Sequence, residues 1–300
     1  DGLVMDLRQN GGGHLSEAIE LSGLFIDQGP VVQVKETPGN VDVHRDPSDT
    51  AVYDGPLAVL VDRYSASASE IFAAAIQDYE RGVIIGQQTF GKGTVQNLFN
   101  LDMIMRGNDN GQLTLTIGKY YRVTGDSTQN RGVLPDITLP SDIPTEAVGE
   151  NTRETALPWD RIRGTSFRPQ PSLDSEIAVL NDRHRSRSAN DPDFNYLLEA
   201  FSARAESWEE HTVSLNIDKR RAEQEAEELA QLTRENQRRA ALGLAPLTSL
   251  EEMEEPVSAD EILLEQAART VAEMAVQRSA PQTSATQSSA AAVAEAADGV

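Results

Sequence analysis

Three short apolar runs constrain the fold of this chain more than any other feature: "LVMDL" at 3–7, "LAVLVD" at 57–62 and "GVIIG" at 82–86. Each is apolar at consecutive rather than alternate positions. Strands of that kind are covered on both faces, as in a parallel sheet. Two of the three lead through a turn into a helical pattern. "NGGG" (10–13) precedes "HLSEAIELSGLFI" (14–26), where Leu15, Ala18, Ile19 and the 21–25 region recur at helical spacing. A serine-rich turn after Asp62 precedes an alanine-rich helix reaching about Tyr79. "VVQV" (31–34) begins a strand, "VHRDPSDTAVYDGP" (43–56) reads as a loop, and "TFGKGTVQNLF" (89–99) as a turn running into extended chain. "QLTLTIGKYYRVTG" (112–125) alternates with period two, and "GVLPDITL" (132–139) closes this part. Strand–helix alternation of this kind predicts an α/β core with a largely parallel sheet over residues 1–140.

The pattern changes after Pro140. Residues 141–171 read as a linker and residues 172–278 as a helical domain, with helices expected at 172–187, 191–208, 217–242 and 258–276. The third is dense in charge with few apolar anchors, the pattern of a solvated or partner-facing helix. The fourth opens on a Ser258–Glu261 capping box. Residues 279–300, rich in Ala, Ser and Gln, read as a disordered tail. The opening "DGLVMDL" is a strand already under way, so the chain is expected to be the C-terminal part of a longer protein, and the lack of a visible signal peptide or membrane span carries little weight.

The formal net charge is −22. Residues 1–140 hold 10 basic and 18 acidic side chains, net −8, and the remainder 16 and 30, net −14. An acidic surface repels phosphate backbones, which argues against a nucleic-acid partner. With no cysteine, a thiol nucleophile, a disulfide framework and cysteine-based zinc sites are excluded.

Chemistry is concentrated in three places. "SASAS" (65–69) puts serines at alternate positions before a helix, and Ser67-Ala-Ser-Glu70 also fits a capping box. A serine at a strand-to-helix junction has free backbone N–H groups beside it that can bind a developing oxyanion. Both readings stand, since a nucleophile can occupy a helix start. A nucleophilic serine needs a base. Of the four histidines, His44 falls in a polar loop, His184 and His211 in the acidic second part, and His14 follows the glycine turn, where exposed surface is the ordinary role. The other candidate is Lys92 in "FGKG" (90–93), because desolvation lowers an amine's pKa and lets it accept a proton. Gln96 shares a face with Lys92 on either a strand or a helix and could orient the amine. Asp78 lies about 16 Å along the helix from Ser67, too far for a triad, so an ion pair or cap is the expected role. The Gly11–Gly13 turn is either a plain turn or a place where backbone approaches a substrate. It is neither a Walker loop nor a dinucleotide fingerprint.

"DLRQNGGG" (6–13), "SASASEI" (65–71) and "TFGKGTVQ" (89–96), in that order and spacing, resemble the C-terminal processing peptidases. "GLFI…GP.VQV" before the serines and "ALPWD" (156–160) after the core place the resemblance in the bacterial tail-specific branch. It covers about residues 1–140 in its specific motifs, and the helices more loosely. The resemblance implies a Clp protease/crotonase-like fold and a cofactor-free, metal-free serine endopeptidase. By motif, Ser67 would be the nucleophile, Lys92 the general base and Gln96 its orienter, with the backbone N–H groups of Gly13 and Ala68 as oxyanion hole. It further implies protein substrates recognised by apolar C-terminal tails through a PDZ domain that is not in these 300 residues. A lipoprotein adaptor and a periplasmic, membrane-associated location belong to the same expectation. Competing readings are a crotonase-like acyl-thioester enzyme, which leaves Lys92 and Gln96 without a task, and a catalytically silent binding scaffold.

Overall fold

The computed structural model describes residues 1–105, 109–209, 212–253 and 257–279. Its core runs β1 (Leu3–Asp6), α1 (Leu15–Gly23), β2 (Pro30–Glu36), β3 (Val41–Arg45), β4 (Leu57–Val61), α2 (Ala68–Asp78), β5 (Val83–Gly86), β6 (Thr94–Asn100), β7 (Gln112–Tyr121) and β8 (Ile137–Thr138). The helices α3 (Asp174–Ser188), α4 (Pro192–Glu209), α5 (Ile217–Ala241) and α6 (Ala259–Ser279) follow. The mixed α/β core with a helical C-terminal region is as the sequence predicts. The tail expected over 279–300 lies, beyond Ser279, outside the described residues.

The three apolar runs form the parallel strands β1, β4 and β5, and β8 completes the sheet in the order β1-β4-β5-β8. Side chains alternate across the sheet. Leu57, Val59 and Val61 join Ile71, Phe72 and Ile76 of α2 in one cluster, while Ala58 and Leu60 join Leu180, Leu197, Ile262 and Met274 of the C-terminal helices in another. The helical region is therefore the second layer of the sandwich, covering the sheet face opposite the serine-bearing helix. At about 1.5–3 kcal/mol per large buried side chain, each interface contributes substantially to the fold.

Two expectations need correction. The parallel sheet holds only four of the eight strands among the described residues: β3-β2-β7-β6 form a second, antiparallel sheet. The segment read as a loop from Val43 begins inside β3, which pairs with β2 from Lys35↔Val41 to Pro30↔Arg45. With only Val41 and Val43 alternating, β3 lacks a period-two signal of its own, and its partner strand makes it extended.

Residues 141–171 run as an irregular strap along the core. The Trp159 indole donates to Ser127 O at 2.8 Å, Asp160 binds Lys119 and Tyr121, and Gln170 N donates to Tyr79 O at 2.9 Å. Helix α5 is exposed along most of its length. Its Asn216 cap accepts from Asp218 N and Lys219 N, and Arg238 ties it to Asp193 of α4. Among the described residues, no helix is long and apolar enough to cross a membrane.

Candidate active site

The chain leaves β4 through a turn organised by Asp62. Its carboxylate accepts the N–H groups of Gln9, Tyr64 and Ser65 at 2.9–3.1 Å, which locks the end of β4 to the end of β1. Ser65, fully buried, donates its hydroxyl to Leu7 O at 2.8 Å. Ser69 lies within hydrogen-bonding distance of Asn10 through both O (3.0 Å) and Oδ1 (2.8 Å). Those two serines are structural stitches. Ser67, between them, has φ 57° and ψ −114°. A non-glycine residue in such a conformation carries about 1–3 kcal/mol of strain, which the surroundings must hold in place. One device is Gly12, at φ +100°, where a Cβ would lie 2.6 Å from Ala66 O and 2.8 Å from Ala68 N. No side chain fits there, so the glycine turn and the serine turn pack backbone to backbone.

Two buried side chains then hold Ser67 and Lys92 in register with each other. Glu70, completely buried, accepts the N–H of Ser67 (2.8 Å) and of Lys92 (2.9 Å) on one carboxylate oxygen. Its other oxygen accepts from Gly91 N (2.7 Å) and the Thr89 hydroxyl (2.5 Å). Burial pushes its pKa up to about 7, and these four donors oppose that rise. The Tyr120 hydroxyl donates to Lys92 O at 2.5 Å and lies 3.2 Å from Ser67 O. Burial holds the Tyr120 pKa well above its usual value, so it remains a donor. One carboxylate thus gathers the two N–H groups, and one phenol gathers the two carbonyls. Gly91 permits this loop: at φ +89°, its added Cβ would lie 3.0 Å from the Asn130 carbonyl carbon.

Ser67, Lys92, Gln96, Gly13 and Ala68 line one cavity of about 550 Å3 between the antiparallel sheet and the N-terminal turns of α1 and α2. No hydrogen bond joins the Ser67 hydroxyl to the Lys92 amine, or Gln96 to Lys92, among the described residues. His14 and His44 line the same cavity. The sequence hides the proximity of His44, because the segment from Val43 reads as a loop. Gly12 N–H is engaged by Asn10 Oδ1 at 3.0 Å, whereas the N–H groups of Gly13 and Ala68 make no hydrogen bond among the described residues. Asp78 pairs with Arg122 at 2.6 Å at the far end of α2, away from Ser67. His184 is buried among the C-terminal helices, and His211 lies outside the described residues. No group of three or more metal-ligating side chains occurs among the described residues.

Residues 1–139 match the model of peptidase family S41, and residues 143–297 match the C-terminal domain of tail specific protease. A tail-specific protease of Haemophilus influenzae is 42% identical over 284 residues, 93% of this chain and 41% of that protein. A chloroplastic C-terminal processing peptidase of Tetradesmus obliquus is 35% identical over 49% of this chain and 31% of its own length. The structure of a photosystem II D1 C-terminal processing protease superposes with a TM-score of 0.40 at 36% identity, covering 48% of this chain and 36% of that one. The chain thus spans well under half of the length of these relatives. Peptidase core and characteristic C-terminal domain occur here in one continuous order, and the chain belongs to the tail-specific protease branch of peptidase family S41.

Proposed function

We propose that this chain carries the catalytic centre of a serine endopeptidase in which Ser67 attacks and Lys92 is the general base. The observation that carries the reading is selective. Of three neighbouring serines, two have their hydroxyls committed to backbone stitches, and only Ser67 is both strained and open to the cavity that Lys92 lines. Strain held at a helix start is a feature of nucleophiles presented to substrate.

In this mechanism Lys92, as the neutral amine, takes the Ser67 proton while Oγ bonds to the scissile carbonyl carbon. The carbonyl oxygen becomes an anion held by the N–H groups of Gly13 and Ala68. Lys92 then returns the proton to the departing amine, the C–N bond breaks, and water hydrolyses the acyl-enzyme by the reverse sequence. Gln96 orients the amine from β6. Substrate binding closes the Ser67–Lys92 hydrogen bond, a contact often long in the free enzyme. Substrates with apolar C-terminal tails, a lipoprotein adaptor and a periplasmic, membrane-associated setting complete the proposal for the intact protein, supported by its resemblance to tail-specific proteases. The net charge of −22 favours protein over nucleic-acid partners.

The test is cleavage of a polypeptide ending in small apolar residues by the intact protein. Ser67→Ala and Lys92→Ala each lower kcat by about 10⁴-fold or more. His14→Ala and His44→Ala retain cleavage, which separates lysine from histidine as base. Cleavage that persists in Ser67→Ala overturns the assignment, and an acyl-thioesterase activity in its place would favour the crotonase-like alternative.

A further inference from the structure

Arg63, which follows β4 and precedes Ser67 by four positions, has no task in the proposed mechanism. It is 2% exposed. Among the described residues it forms no ion pair, and burial pushes its pKa down against the charges of Glu70 and Glu146. A buried guanidinium is costly unless its donors are engaged. Its partners are four main-chain carbonyls. Nη1 donates to Gln88 O at 3.0 Å and Thr89 O at 2.6 Å, while Nη2 donates to Thr145 O at 3.1 Å and to Val148 O. None of the four acceptors belongs to a helix or strand. Two lie in the loop that carries Lys92 and two in the strap beyond Pro140. A planar, rigid fork of donors suits such a junction.

The strap holds the same loop at two further points. Glu150 N donates to Phe90 O at 2.9 Å, and the Arg153 guanidinium lies 5.5 Å from the centre of the Phe90 ring. On the other side of Lys92, Gly93 N donates to Gln129 Oε1 at 2.8 Å, and Gln129 Nε2 lies 3.4 Å from Glu150 Oε1. Gly149 leaves room for the junction. At φ +144°, its added Cβ would lie 2.4 Å from Arg63 Nη2 and 3.1 Å from Phe90 O.

We infer that Arg63 is a positioning residue for the reaction: it fastens the Lys92 loop to the strap that leads into the C-terminal helices, and so keeps the Lys92 amine within reach of Ser67. This rests on the Ser67–Lys92 reading of the proposed function. Glu70 holds the loop by its N–H groups and Arg63 holds it by its carbonyls, so the two grips are complementary. A reacting group displaced by about 1 Å can cost about 10²-fold in rate.

The experiment uses the intact protein and a polypeptide ending in small apolar residues, with kcat and KM read per folded molecule. Hydrogen exchange is followed by mass spectrometry in parallel. Arg63→Met lowers kcat by about 10²-fold and changes KM by less than about threefold. Exchange rises in residues 88–93 and 145–150, while β4 and α2 stay protected. Arg63→Lys keeps the charge but cannot span both segments, and recovers only about tenfold of the loss. Gly149→Ala displaces the guanidinium without altering Arg63, and also lowers kcat. Combined with Arg63→Met it lowers kcat no further, because both changes break one junction. Gly149→Ala and Arg63→Lys carry the test should Arg63→Met not fold. The inference is overturned if these variants keep kcat within about twofold of wild type, or if β4 and α2 lose protection together with the loop. Cleavage persisting in Ser67→Ala breaks the catalytic assignment instead, so the two failures are distinguishable.

Discussion

The two faces of the parallel sheet are built from the same strands and do different work. Toward α1 and α2, β4 offers Leu57, Val59 and Val61; toward α3, α4 and α6 it offers Ala58 and Leu60. Both are dry and close-packed. The difference lies at the strand ends. On the α2 face the chain turns sharply into a helix whose first backbone N–H, at Ala68, makes no hydrogen bond among the described residues, and a buried carboxylate holds a loop from elsewhere in place. On the opposite face the helices cover the sheet side to side, and Arg187 pairs with Glu273 and Gln266. Packing quality therefore does not distinguish the two faces; conformational strain at Ser67 and the unengaged N–H of Ala68 do.

The largest effect expected from breaking this contrast is at Glu70. Glu70→Gln leaves one carbonyl oxygen for Thr89 and Gly91 but turns an NH₂ group toward the N–H groups of Ser67 and Lys92. Two buried donors lose their acceptor at about 1–3 kcal/mol each, so kcat/KM falls by about 10² or more while Ser67 and Lys92 remain in the chain. Steady-state kinetics on a folded sample decides it; wild-type kinetics in Glu70→Gln would show that the knot is not needed. Leu180→Ala, on the opposite face, should do the reverse. The side chain is fully buried, and its loss costs about 2–5 kcal/mol of stability. Below the melting midpoint, activity per folded molecule should hold. A matching loss of kcat would mean that the two faces are coupled.

Acid should separate the faces in opposite directions. Burial lowers the pKa of His184, whose ring packs edge-on against Phe194, so its stabilising contribution is present above pH 6.5 and lost as pH falls through its lowered folded value. Glu70 is raised from 4.5 to about 7, so its contribution is present below 4.5 and lost as pH rises through about 7. Urea midpoints against pH should show the acid-side loss disappear in His184→Gln and the loss near neutrality persist. Tyr120→Phe removes one donor shared between two carbonyls and should cost about 1 kcal/mol, or roughly fivefold in rate. The smallest effect is expected on α5, where Arg220→Ala breaks an exposed pair with Glu223 and should shift stability by less than about 0.5 kcal/mol.

Several of these residues were legible in the sequence for local reasons. Ser67, Lys92, Gln96 and the glycine turn stand in short motifs, and Asp78 could be set aside from helix rise alone. Glu70 was legible only as half of a capping box. Its bond to Ser67 N is local, but its other three donors come from residues 89–92, about twenty positions away. Tyr120 reads as one more position in an alternating strand, and its hydroxyl acquires meaning only where β7 crosses both loops. The choice of Gly13 over Gly12 depends on a side chain, Asn10, that takes the Gly12 N–H.

Local chemistry in the sequence thus determined most of the strands, the helices and the motifs that carry the proposed reacting groups, because periodicity and turn preference act over a few residues. Tertiary structure decided which serine is free, which glycine N–H is available and which sheet face the helical region covers. Each of those depends on partners brought together from distant parts of the chain, and a hydrogen bond or a close approach exists only once both sides are in place.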